Sequence, residues 1–133
     1  MGIDEIAGIG DAFERRLSAA GVSTVEVLLD RAGRRLSRER LAVATGISTK
    51  LLLEWVSRAD LMRIGGVSGA YADLLEAAGV DSCVELSRRE PANLRGRLAE
   101  VNEVRSLARL PPTEREVAGW VVAARSMPRV VQH

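Results

Sequence analysis

The chain repeats itself, and that repetition limits its fold more than any other feature. Shifted by 58 positions, residues 3–29 fall on residues 61–87 without a gap. Ile6, Gly8, Ala12, Leu17, Ala19, Ala20, Gly21, Val22 and Leu28 meet Ile64, Gly66, Ala70, Leu75, Ala77, Ala78, Gly79, Val80 and Leu86. These nine identities in 27 positions compare with roughly two expected by chance at ordinary residue frequencies. The likeness returns further on, where Leu52, Trp55, Val56 and Ala59 match Val117, Trp120, Val121 and Ala124. The sequence therefore predicts two pseudo-equivalent repeats, 1–60 and 61–128, and a C-terminal tail, 129–133. No Pro/Gly/Ser-rich linker divides the repeats, so they are expected to pack together.

Within each repeat the apolar spacing is helical. Ala12, Phe13, Arg16, Leu17 and Ala20 follow an i, i+3, i+4 pattern, the signature of an amphipathic helix. The apolar residues are mostly Ala, Val and Leu and only 3% of the chain is aromatic, which favours helix over strand. The expectation is an all-α fold of about ten short helices, shared between the two repeats. Ser23 and Asp81 are expected to cap the third helix of their repeats, Ser48 the helix through Trp55. Pro91 suits a first helical turn. Thr113 and Glu116 are spaced as a capping box.

Glycines punctuate the pattern. Gly8-Ile9-Gly10 breaks the first repeat after Ile6, Gly46-Ile47 makes a second, degenerate hairpin, and Gly65-Gly66-Val67, the third, breaks the second repeat after Ile64. A glycine between two helices takes backbone angles that a side chain obstructs, and the neighbouring apolar residue plugs the angle. The helix that follows presents free N–H groups, which attract anions.

Ile6-x-Gly8-Ile9-Gly10, Leu17, Gly21-Val22, Thr24 and Leu28 together resemble the helix-hairpin-helix of many DNA-repair and replication proteins. With Leu41-Ala42, Thr45-Gly46-Ile47, Trp55, Ala59-Asp60-Leu61, Arg63, Tyr71-Ala72, Leu74-Leu75 and Ala78-Gly79-Val80-Asp81, the chain over residues 3–128 resembles a bacterial family of unknown function built from tandem motifs of this kind. That resemblance implies the fold, a pair of helix-hairpin-helix motifs in each repeat, and says little of the biochemistry. DNA-gripping hairpins usually carry Lys or Arg just after the second glycine. Here Asp11 follows Gly10, and Ser68-Gly69-Ala70 hold the matching stretch. A carboxylate beside the anion site repels phosphate, so hairpins one and three read as structural, and the hairpin followed by Lys50 reads as the contact.

Charge offers a second place to look. Basic and acidic residues nearly cancel, 19 against 18, whereas a dedicated DNA-binding domain is strongly basic. The positive charge is nonetheless clustered. Arg31, Arg34, Arg35, Arg38 and Arg40 crowd one segment, and Arg88, Arg89, Arg95 and Arg97 crowd the corresponding segment of the second repeat. On one surface they would form a phosphate-binding track; as a solvated loop they would pair with Asp30, Glu39 and Glu90, and they would equally suit an acidic protein partner.

Nothing points to catalysis. The one histidine is His133, the one cysteine is Cys83 on an apolar-periodic helix, and no metal-ligand cluster or nucleophile–base pair is evident. No cofactor, metal or small-molecule substrate is expected. Trp55 and Trp120, like Phe13 and Tyr71, read as core residues on apolar helical faces. With no long apolar run and no secretory N-terminus, the chain reads as cytoplasmic. Two functions stay open: a non-enzymatic module touching nucleic-acid backbone without sequence preference, or a protein-interaction or assembly subunit, self-associating or binding another chain.

Overall fold

A computed structural model describes all 133 residues. The protein is all-α, with eight α-helices and no strand; a lone antiparallel bridge joins Gly2 to Thr24. The helices divide between two compact units, Met1–Asp60 with Val130–His133, and Leu61–Arg129.

The first unit begins with extended backbone. Ile3 N–H donates to Ser23 O (3.3 Å) and Val25 N–H to Met1 O (2.9 Å), and a 3-10 helical turn, Ile3–Glu5, follows. Ile6 O then accepts from Ile9 N–H (3.3 Å) across a turn whose third residue is Gly8 at φ +93°. That φ is what a type II turn asks of its third residue, and glycine adopts it without steric cost. Ile9, 7% exposed, is the buried plug.

Helix α1 (Asp11–Ala19) ends in a Schellman motif. Gly21 sits at φ +85°, its N–H donates to Ser18 O, and Val22 N–H donates to Leu17 O at 2.8 Å. Val22 and Leu17 are both fully buried, the apolar contact such a motif carries. Helices α2 (Val25–Ala32), α3 (Arg35–Thr45) and α4 (Thr49–Leu61) complete the unit. Gly46, at φ +72°, ends α3, and Ser48 Oγ caps α4 by accepting from Leu51 N–H (3.1 Å). Trp55 is 1% exposed. It meets Phe13 edge-on with ring centroids 5.1 Å apart, and its indole nitrogen would lie 3.3 Å from a Cβ placed on Gly8.

The second unit has the same local features, 58 positions on at the glycines and at Tyr71, and 65 positions on at the tryptophan. Gly66 sits at φ +90° and Gly79 at φ +95°; Val67 N–H donates to Ile64 O, and Val80 N–H to Leu75 O at 2.9 Å. Tyr71 meets Trp120 with centroids 5.3 Å apart, and the Trp120 indole nitrogen lies 3.3 Å from a Cβ on Gly66. Its helices are α5 (Gly69–Ala77), α6 (Cys83–Ser87), α7 (Pro91–Arg105) and α8 (Glu114–Arg125). Pro91 opens α7, and Thr113 and Glu116 form the capping box of α8. Asn102, 9% exposed, clamps the loop after α7, giving Nδ2–H to Ala108 O (3.0 Å) and accepting from Ala108 N–H at Oδ1 (2.8 Å).

The helix count falls short of ten for identifiable reasons. The helix expected before the turn at Gly8 is only the 3-10 turn, and the one expected before the turn at Gly66 is the end of α4. Two caps also sit one residue later than expected. Thr24, not Ser23, accepts from Val27 N–H, and Ser82, not Asp81, accepts from Glu85 N–H. Ser23 and Thr24 are held extended by pairing with residues 1–3, which delays the helix.

Residues 130–133, read as a tail, are bound into the first unit. Val131 is 2% exposed, and Gln132 N–H donates to Gly33 O at 2.8 Å. A side chain on Gly33 would collide with the Val130 carbonyl oxygen.

Candidate nucleic-acid interface

In the first unit, the start of α3 gathers several of the arginines. Arg34 is its N-cap and makes no side-chain cap bond. Arg34, Arg35 and Arg40 are exposed and line a groove of about 600 Å³ together with Ser37, Glu39 and Gln132. A neighbouring groove of about 230 Å³ is lined by Arg35, Arg38, Glu39, Thr49, Lys50 and Leu53. The turn at Gly46-Ile47 thus brings Lys50, in the first turn of α4, beside Arg35 in the first turn of α3. Glu39 lines both grooves and tempers their charge.

Two arginines of this run hold the fold. Arg31 Nη1 donates to Ala20 O (3.1 Å) at the end of α1. Arg89 does the same in the second unit, giving Nη2–H to Gly79 O (3.2 Å) and Nε–H to Glu85 Oε1 (3.1 Å). A cation against the last carbonyls of a helix complements its dipole. Arg38 departs further from the expected surface track, being 4% exposed. Its Nη1 donates to Ala32 O (3.1 Å) and Gly33 O (3.3 Å), and its Nη2 to Gln132 O (2.7 Å). Burial lowers its pKa from the ordinary arginine value, and the like charge of Arg35 adds to the shift while Glu39 opposes it.

The second run is more dispersed. Arg88 follows α6 and is exposed, as are Arg95 and Arg97 on α7. Two residues apart on a helix, Arg95 and Arg97 point roughly 200° apart, so they share no face.

The glycine turns themselves offer phosphate little. Gly10, before α1, has no capping side chain, and exposed Asp11 is the first helical residue. At α5 the Ser68 hydroxyl already takes the Tyr71 N–H (3.2 Å). Beside it, Ser68, Ala70, Tyr71, Arg109 and Leu110 line a hollow of about 340 Å³. Burial, with the nearby Glu116 carboxylate, raises the Tyr71 pKa above its ordinary value.

Three residues that shape these sites carry little sequence signal. Gln132 lies 97 positions from its partner Arg35. Asn102 is a polar residue inside a helix, and Glu90, whose carboxylate accepts from Ala92 and Asn93 N–H, caps α7 from just before Pro91.

No group of three or more His, Cys, Asp or Glu side chains converges to hold a metal ion, and no helix is long and apolar enough to cross a membrane. Fold and surface define a small all-α protein with a basic groove. The sequence matches the domain of unknown function DUF4332 over residues 7–127, and the chain belongs to that family. No curated protein and no solved structure matches it.

Proposed function

We propose that the chain is a non-enzymatic, cytoplasmic module of tandem helix-hairpin-helix repeats whose first unit contacts nucleic-acid backbone without sequence preference. The duplication is supported by the recurrence of one local geometry at Gly8 and Gly66, Gly21 and Gly79, and Trp55 and Trp120. The observation that carries the functional reading is the meeting of Arg34, Arg35, Arg40 and Lys50 from two helices along adjoining grooves. Arg holds phosphate oxygens bidentately and Lys as a point charge, and neither reads sequence from the backbone.

The test is binding of duplex and single-stranded DNA and RNA across a salt series. Each phosphate neutralised on duplex DNA contributes about −0.9 to the slope of log K against log salt. Replacing Arg34, Arg35 and Lys50 together by Ala should flatten that slope by up to about 2.7. No binding at low salt defeats the proposal.

A second reading, an assembly subunit, is favoured by Leu36 and Val43. They lie seven apart on α3 and are 69% and 87% exposed, an apolar pair on one helical face with Arg40 between them. Sedimentation over a wide concentration range, with and without Leu36→Ser and Val43→Ser, tests for self-association through that face.

A further inference from the structure

Arg38 is a buried cation without a buried countercharge. All three of its hydrogen bonds go to neutral backbone oxygens, and the adjacent Glu39 is exposed. A buried charge is costly unless an opposite charge compensates it; Arg35 beside it deepens the deficit, and exposed Glu39 offsets it only in part. One of the three acceptors, Gln132 O, comes from the segment that returns after the second unit. The same residue offers a second oxygen, since Gln132 Oε1 accepts from Arg35 N–H at 3.0 Å. One neutral residue therefore takes a donor from the opening turn of α3 and a donor from the buried guanidinium, at the wall of the groove lined by Arg34, Arg35 and Arg40. A phosphate group could satisfy both donors with two oxygens of its own and supply the missing negative charge.

We infer that Val130–Gln132 is a strap lying over a phosphate position of the first unit, and that a nucleic-acid phosphate displaces it. This rests on the nucleic-acid reading above and adds its regulation. Binding must first release Gln132, so the strap lowers the apparent affinity by the fraction of molecules in which it is open. Glu39 keeps the groove from holding small anions tightly, which leaves displacement to a polyanion whose other phosphates engage Arg34, Arg40 and Lys50.

The test uses the full chain, an oligothymidylate of ten nucleotides, and inorganic phosphate at matched phosphate concentration. Gln132→Ala removes only the Oε1 bond of an exposed residue and should tighten oligonucleotide binding about threefold to tenfold. In the unsubstituted chain, saturation with the oligonucleotide should accelerate hydrogen exchange at the Gln132 N–H, now bonded to Gly33 O, by at least about tenfold. Inorganic phosphate should leave that exchange unchanged; release by inorganic phosphate alone overturns the nucleic-acid source. Oligonucleotide binding with Gln132 still protected and with no gain from Gln132→Ala overturns the strap and leaves the proposed function standing. Absence of oligonucleotide binding in both chains overturns both.

Discussion

Replacing Gly66 by Ala should cost the protein about 2 kcal/mol, while the same replacement one residue earlier should stabilise it. Gly66 is the third residue of the Ile64–Val67 turn and holds φ +90°. Keeping an L side chain near this conformation costs about 1–2 kcal/mol. The new Cβ would also stand 3.3 Å from the indole nitrogen of Trp120, which is 4% exposed, and overpacking of that kind adds about 1 kcal/mol. Reduced freedom of the unfolded chain returns about 0.4–1 kcal/mol, leaving a loss of about 2. Gly65 has no atom within 4 Å of its Cβ position and no positive φ. The matching residue of the first unit is already Ala7. Gly65→Ala should therefore gain about 0.4–1 kcal/mol. Urea unfolding monitored at the tryptophans measures both, and thermal unfolding should show a fall in Tm of about 8 °C for Gly66→Ala if the chain unfolds as one. Equal effects at the two positions, or a Gly66→Ala change under about 0.5 kcal/mol, would refute the turn geometry as the reason for the glycine.

Other outcomes follow from single features. Ser106 ends α7 at φ +52°, so Ser106→Gly should raise stability by about 0.5 kcal/mol; a loss in chemical denaturation would contradict the strain. Thr113→Ala removes half of the α8 capping box and should cost about 1 kcal/mol, detectable as a lowered urea midpoint with an unchanged slope. Tyr71 is the only tyrosine, so absorbance at alkaline pH reports it alone, and it should ionise above the ordinary tyrosine range. Because the fold favours the neutral phenol, that stabilisation is complete below the unfolded-state pKa and is lost as pH rises through the raised value. Glu116→Gln should bring the titration part of the way down, burial being the larger cause; titration at or below the ordinary value would overturn the assignment.

How far the sequence discloses the molecule depends on how local each feature is. The turns at Gly8 and Gly66, the Gly21 and Gly79 helix ends, the buried tryptophans, Pro91 and the Thr113–Glu116 box each follow from residues within one or two turns of each other, and all are legible. The shift from Ser23 to Thr24 as cap is not, because pairing with residues 1–3 decides it. Nor is the division among the arginines. In sequence Arg31, Arg34, Arg35, Arg38 and Arg40 form one basic run. In the fold Arg31 caps a helix, Arg38 is buried under a segment some ninety residues away, and Arg34, Arg35 and Arg40 stay at the surface. Spacing along a helix predicts which side chains share a face, but the third acceptor for Arg38, Gln132 O, is in place only once Val131 and Gln132 have packed.

That packing also sets an order of events. The second unit is interrupted nowhere in the chain, and Arg63 Nη2 donates to Pro128 O near its two ends at 3.0 Å. The first unit is interrupted by all of it, since residues 130–133 belong with residues 1–60. During synthesis, residues 61–129 emerge before the segment that supplies the Arg35 acceptor and one of the three Arg38 acceptors. A ribosome thus delivers the later unit whole while the earlier one still lacks its closing segment, and domains generally fold as units as they emerge. A fragment of residues 1–60 should accordingly reproduce a nascent intermediate, with an uncovered Arg38, rather than a finished half of the protein.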